Sequence, residues 1–297
     1  MNEKIAKQLI DNQFPQYKEL KIEKMPIQGH DNTTFQLGAN FIISFPNKDM
    51  YQESIQNVYD FLPKIQEYLS IKIPIKMHIG NPSTLFPCRW SIQRYIKGQS
   101  SNLILESIDL NQFATELAKI LKEFKNIKNF DKESKLRPSK KNFFRGGNLI
   151  IYKSDIEQSL SILKDEQIDK VWINKIWKHA ISVPWKAENV FVHGDIAQGN
   201  IIFNDNKLEG IIDFGTMACG DPACDLMMAW NTFTGESRAI FKKIVNYDHN
   251  TWIRGMAWTL WKGLLEISQA SKSNANDWKN PQKVIEEIIE DYKNNYT

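Results

Sequence analysis

The sequence predicts an α+β fold in two lobes: a small antiparallel-sheet lobe over residues 1–97, then a larger, mainly helical lobe over 98–297. Three observations point to it. Up to residue 97 the chain reads as short apolar runs separated by turn residues. Gly98-Gln99-Ser100-Ser101 then breaks the composition, and beyond it apolar residues recur at helical spacing.

In order, residues 2–12 predict a helix with Ile5, Leu9 and Ile10 on one face. A strand follows at Leu20–Ile27, then a turn at Gly29-His30-Asp31-Asn32-Thr33. Thr34–Leu37 and Phe41–Phe45 form a hairpin about Gly38-Ala39-Asn40, ended by Pro46, which cannot continue a ladder. Ile55, Val58, Tyr59, Leu62 and Ile65 mark a helix broken or bent near Pro63. Met77–Ile79 and Trp90–Ile96 complete a five-stranded sheet. In the second lobe Asp109 caps a helix running to Lys125, and residues 126–150 form a long basic loop. Ser154-x-x-Glu157 opens another helix, Val171–Ile181 continues the pattern, and Asp221-Pro222 starts a helix through Trp230. Thr251–Ile267 is amphipathic, and Asn280-Pro281 caps the last helix.

Lys plus Arg number 38 against 35 Asp plus Glu, a net +3 spread along the chain, which gives neither a nucleic-acid footprint nor a membrane patch. No apolar run approaches the ~18 residues that would span a bilayer, and the N-terminus does not read as a signal peptide. Cys88, Cys219 and Cys224 have neither disulfide-framework nor zinc-site spacing, so a cytoplasmic location is expected.

The chemistry concentrates in Val190–Trp230. His193-Gly194-Asp195 and Asn200 follow one apolar run, and Asp213-Phe214-Gly215 follows another. A loop carboxylate between buried strands can accept or orient the proton of an attacking hydroxyl, which makes Asp195 the candidate catalytic base. Asn200 and Asp213 supply one neutral and one charged oxygen, a sufficient protein share for Mg²⁺ when phosphates complete its shell. His193 reads as a buried orienting residue, and Asp221 and Asp225 as caps at a helix start. Glu286, Glu287, Glu290 and Asp291 read as a solvated helix face, Lys140–Arg145 as a surface segment, and Trp252, Trp258 and Trp261 as core.

On HGDIAQGN, IIDFG and GDPACDL, with weaker likeness through GHDNTTFQLG, FLPKI, WSIQRYIKG, FRGGNL and DHNTWIRGMAW, the chain resembles the aminoglycoside phosphotransferase family. That family shares a protein-kinase-like fold with choline and homoserine kinases. The resemblance implies ATP or GTP between the lobes, Mg²⁺ as cofactor, and a small hydroxylated acceptor against the helical lobe. It places the peptide groups of Arg94 and Ile96 at the nucleobase edge, Gln93 at the back of that pocket, and the Gly29–Thr33 turn, including Asn32, over the phosphates. It also exposes a departure. The third-strand cation that holds the α/β-phosphates and its helix glutamate fall at Ser44 and Val58, with Glu53 too early in register to substitute. Lys48, Arg94 and Lys97 are the candidate replacements. The expected function is an O-phosphotransferase on a small hydroxylated molecule, an antibiotic or a metabolite. The alternatives are a nucleotide-binding module with little turnover and a metal-dependent hydrolase, the latter weakened by the lack of a histidine-rich ligand set.

Overall fold

Alternation of apolar residues shapes the first sheet. In the computed structural model, which describes residues 1–29, 31–128, 130, 132–165, 167–269 and 280–296, β1 (Ile22–Lys24), β2 (Asn32–Leu37), β3 (Phe41–Pro46), β4 (Lys76–Gly80) and β5 (Trp90–Arg94) pair antiparallel in the order β1-β2-β3-β5-β4. Phe35, Leu37, Ile43, Phe45, Trp90 and Ile92 point to one face and close over Ala6, Leu9 and Ile10 of helix α1 (Glu3–Gln13). The other face carries the polar set Ser44, Ser91 and Gln93 beside helix α2 (Ile55–Ile65). Of the break or bend expected near Pro63, the break does not occur. The proline lies within α2, near its end, and the helix carries on to Ile65.

The composition break at 98–101 is itself structured. Gly98 adopts φ +143°, and a Cβ there would lie 2.3 Å from the Phe203 carbonyl oxygen, so only glycine lets the connection pass. Then β6 (Gln99–Ser100) adds to the hairpin of β8 (Ile201–Asn204) and β9 (Lys207–Ile211), and α3 (Ser101–Ile104) follows. The segment before β4 joins the same hairpin: the Lys72 N–H donates to the Glu209 carbonyl and the Ile211 N–H to the Lys72 carbonyl.

The larger core is built on α4 (Leu110–Asn126), α5 (Lys153–Ile162), α6 (Lys170–Ser182) and the pair β7 (Val190–Val192) and β10 (Ala218–Gly220), with α7 (Met228–Asn231), α8 (Gly235–Val245), α9 (His249–Gln269) and α10 (Pro281–Asn295) around them. Asp109 caps α4 through the N–H groups of Asn111 and Gln112, as expected. Two expected helix starts differ. Ser154 caps nothing, because α5 begins at Lys153 after Tyr152. The stretch after Asp221 forms a short 3-10 turn, Pro222–Asp225, before α7, because its acids bond elsewhere. Trp252, Trp258 and Trp261 are buried in the core. The acidic face of α10 is only partly solvated: Asp291 is buried, pairs with Lys242 at 2.6 Å and accepts from Trp230 Nε1 at 2.8 Å. Cys88, Cys219 and Cys224 are buried, and none of them is in a disulfide. Among the described residues no helix is long and apolar enough to cross a membrane.

Candidate active site

Two apolar strands leave a rigid loop between them. β7 ends at Val192, β8 begins at Ile201, and the polar residues at 193–200 bridge the gap. His193 is fully buried. Its Nε2 donates to the Ile212 carbonyl at 3.0 Å, so Nδ1 is the acceptor of the Asp195 N–H at 3.2 Å. Burial lowers its pKa to about 4 against the pull of the Asp195 carboxylate, so it stays neutral at physiological pH and orients the loop. Gly194 sits at φ +85°, where a Cβ would come within 2.7 Å of the Thr216 carbonyl oxygen. Asp225 fixes the turn from below: its two oxygens accept the N–H groups of His193 at 2.8 Å and Gly194 at 2.7 Å. Asp221 caps the Ala223 N–H and forms a buried bidentate pair with Arg254 of α9, at 2.6 and 3.2 Å. Of the two acids of GDPACDL, Asp225 therefore braces the loop, while Asp221 caps its turn and ties it to α9.

Asp195 projects from this braced turn. Its Oδ1 accepts from Lys262 Nζ of α9 at 2.8 Å, and its Oδ2 lies 3.4 Å from the Asn200 amide nitrogen. Burial works to raise the carboxyl, but Lys262 and Arg145 outweigh it and hold its pKa at about 2. Asn200 also donates to the Asp195 carbonyl at 3.0 Å. Both contacts use the amide nitrogen, which leaves the amide oxygen as an acceptor. Asp213 follows β9 in a left-handed conformation, φ 67° and ψ 60°. Asp213 is exposed, yet desolvation by the protein around it and then the Asp195 and Asp31 carboxylates push its pKa up to about 6, against the Gly215 N–H hydrogen bond and the pull of Lys76. Water in the open cleft screens part of that push. Three carboxylates thus crowd one region that favours a cation.

Two cations that act on Asp195 were not assigned to it from sequence. Lys262 interrupts the apolar stripe of α9. Arg145, read as part of a surface run, stacks 4.7 Å from the Trp261 ring and bonds Tyr152 Oη at 3.3 Å, facing the loop. Replacing Lys262 by Met removes the largest influence lowering the Asp195 pKa. A carboxylate that has lost its cation titrates higher, so the acid limb of the pH–rate profile should move to higher pH, while turnover at the alkaline end changes less. A profile with an unmoved acid limb would contradict that role.

In the small lobe, Ser44 is buried on β3 opposite Ser91 of β5. Gln93 is half-buried on the same face, Ile96 is buried, and Arg94 is exposed with its N–H already donated to the Ile75 carbonyl at 2.9 Å. Asn32 begins β2 opposite Pro46, and the turn before it is held by Gln28, whose side chain accepts from the Thr34 N–H at 2.8 Å. His30 of that turn lies outside the described residues. Val58 is buried in the larger core, and Lys48, Arg94 and Lys97 are all exposed.

Known proteins share this architecture. Superposition on the GDP complex of wild-type aminoglycoside 2'-phosphotransferase-IIIa gives a TM-score of 0.77 at 18% identity over 100% of both chains. Macrolide 2'-phosphotransferase MphH from Brachybacterium faecium gives 0.66 at 12% identity, over 96% of this chain and 98% of the other. Among curated proteins, aminoglycoside 3'-phosphotransferases of Escherichia coli and Salmonella typhimurium are 32% identical over 73 residues. That stretch spans 24% of this chain and 27% of the relatives' length. Residues 25–264 match the family model for the phosphotransferase enzyme family, APH, and span strands β2 to β5 of the first sheet and the Asp195 loop. The chain belongs to the phosphotransferase enzyme family.

Proposed function

We propose that the chain is a nucleoside triphosphate- and Mg²⁺-dependent O-phosphotransferase acting on a small hydroxylated molecule. The observation that carries this reading is the placement of Asp195, Asn200 and Asp213 around one cleft, with the first two joined by hydrogen bonds. Residues 1–97 would hold the nucleotide and 98–297 the catalytic and acceptor side. Structures with this fold include complexes with GDP, with GDP and kanamycin, and with AMP-PNP and hygromycin B, which supports a nucleotide and a small acceptor here.

The donor set fits Mg²⁺. Asp213 offers a carboxylate, and Asn200 an amide oxygen whose nitrogen is already engaged. Among the described residues no cluster of three His, Cys, Asp or Glu side chains could hold a metal alone, which suits an ion completed by phosphate oxygens. Bound there, Mg²⁺ would neutralise charge on the transferring phosphoryl group. The chain's own part is positional. Asp195, ionised and held on a loop braced by Asp225, accepts or orients the proton of the attacking hydroxyl. His193 keeps that loop in register, and Lys262 keeps Asp195 ionised.

The nucleobase would lie against the β5 exit, where the Arg94 carbonyl and Ile96 N–H supply the edge and Gln93 the rear wall. Ser44 and Asn32 would lie beneath and beside the phosphates. The acceptor would approach through the cavity lined by Gln198, Trp230, Thr232, Lys283, Val284 and Glu287, which opens beside the loop. Gln198 forms its inner wall, donating to Thr232 Oγ1 at 2.9 Å.

Thermal unfolding with nucleotide tests the reading. Mg²⁺ plus ATP or GTP should raise the melting temperature, and either component alone should raise it less. For a ligand at about 100 times its Kd the stabilisation is about 2.7 kcal/mol. Asp213→Asn should remove the Mg²⁺-dependent share and leave the remainder. No nucleotide-dependent shift in the native protein would refute the proposal.

A further inference from the structure

Lys76 is the unexplained cation of the small lobe. Strand β4 pairs with β5 through Lys76 opposite Gln93 and His78 opposite Ile92, so a bulge at Met77 shifts the register. Two residues apart on a regular strand would share a face. Here the extra residue separates them. His78 turns to the α1 side, where its Nε2 meets Tyr17 Oη at 2.9 Å. Lys76 turns to the cleft side.

Its long side chain then lies across β5. Nζ donates to Ser91 Oγ at 2.9 Å and to Gln93 Oε1 at 3.2 Å. Ser91 stands opposite Ser44 on the next strand, so the ammonium reaches the neighbourhood where a β3 cation would have ended. Two serines in a row leave the space it crosses. A long residue at 44 or 91 would fill that space. Desolvation lowers its pKa to about 8, opposed by the Asp213 carboxylate, which places the ammonium within electrostatic reach of the cleft acid. No carboxylate lies within ion-pair distance of Lys76 among the described residues, and neutral oxygens do not supply a counter-charge.

We propose that Lys76 is the phosphate-holding cation of this chain, moved from the third strand to β4 and laid over Ser91 to meet the nucleotide's α- and β-phosphates. This inference rests on the nucleotide-dependent reading above. It joins Ser44 and Val58 into one arrangement. The small residue at 44 admits the lysine. Ser91 and Gln93 orient it, so the helix needs no glutamate, and Val58 is free to pack in the core.

Lys76→Met keeps the length and removes the charge. With Mg²⁺ present, triphosphate affinity measured by titration calorimetry should fall about 10- to 100-fold, the loss expected for charge-assisted hydrogen bonds. Affinity for the bare nucleoside should stay at the native value. Lys76→Arg should retain part of the affinity. Adding Ser44→Lys to a Lys76→Ala protein, where that space is vacated, should recover part of the loss, whereas Ser44→Lys in the native background should give no gain. A measurement on the native protein needs no variant: ATP or GTP should protect Lys76 from acylation by an N-hydroxysuccinimide ester, read by peptide mass spectrometry, and the nucleoside should not. If native protein binds triphosphate but Lys76→Met binds it equally, or if Lys76 gains no protection, the assignment is wrong and the functional reading stands. If native protein binds no triphosphate, both are wrong.

Discussion

Asp195→Asn is expected to lower acceptor-dependent turnover by about 10²- to 10⁴-fold, the usual contribution of a positioned general base. Triphosphate affinity should remain within a few-fold of native, because under the proposed function Asp195 would meet the acceptor hydroxyl while Asn200 and Asp213 would meet the metal and phosphates. The amide keeps the size of the carboxylate and can still meet Asn200. It leaves Lys262 facing a neutral group, so the variant's melting temperature should be compared with that of Asp195→Asn combined with Lys262→Met, which removes both charges. Turnover lost equally in single and double variants, with both folded, places the defect at the base. Turnover restored in the double variant would instead point to a misplaced lysine.

The largest stability effect is expected at Arg254. Its guanidinium is buried, grips Asp221 with two nitrogens at 2.6 and 3.2 Å, and donates to the Val183 carbonyl at 3.0 Å and Thr251 Oγ1 at 3.0 Å. Arg254→Leu leaves the Asp221 carboxylate buried without its cation, at a cost of about 3–5 kcal/mol. For a chain of this size the melting temperature should drop by roughly 6–15 °C. The sign with pH follows from burial, which already pushes the Asp221 carboxyl up against the pull of Arg254. Without the arginine the folded-state pKa rises further above the unfolded value. The folded variant then holds its proton more tightly than the unfolded chain, so its deficit is smallest near pH 4 and grows as pH rises through the folded pKa. Adding Asp221→Asn should recover part of the loss at neutral pH. A deficit that is constant with pH would show that lost packing, and not the stranded charge, sets the cost. Through the short turn to Asp225, the same lesion should also loosen the His193–Gly194 turn and reduce turnover.

The sheet, most of the helices and the loops that carry Asp195, Asn200 and Asp213 were legible because each rests on local pattern, whereas α8 at Gly235–Val245 was not expected. Alternation fixes a strand's faces, helical spacing fixes a stripe, and apolar runs on either side of HGDIAQGN and IIDFG hold the loops between them. What escaped depends on contacts distant in sequence or on irregular backbone. Lys76 is invisible to alternation because the bulge at Met77 reverses its face. Lys262 lies 67 positions from Asp195, and its only local sign is a single cation interrupting an apolar stripe between Trp261 and Leu264. Arg145 looks like one more residue of a basic loop until Trp261 and Tyr152 fold beneath it. Asp291 looks solvated on α10 until Lys242 and Trp230 close on it. The expected helix from Asp221 to Trp230 fails for a related reason. Asp221 and Asp225 are committed to Arg254 and to the loop N–H groups, and that geometry needs a tight 3-10 turn.

The central claim is phosphoryl transfer to an acceptor hydroxyl at Asp195, and following the transferred group tests it most directly. Native protein is incubated with Mg²⁺, ¹⁸O-γ-labelled ATP or GTP, and a panel of aminoglycosides, macrolides, amino alcohols and sugars, and the products are read by mass spectrometry. The expected result is nucleoside diphosphate together with one acceptor carrying the labelled phosphoryl group on oxygen, with Asp195→Asn giving neither above background. Label found only in inorganic phosphate, or labelled acceptor formed equally by Asp195→Asn, would contradict the account.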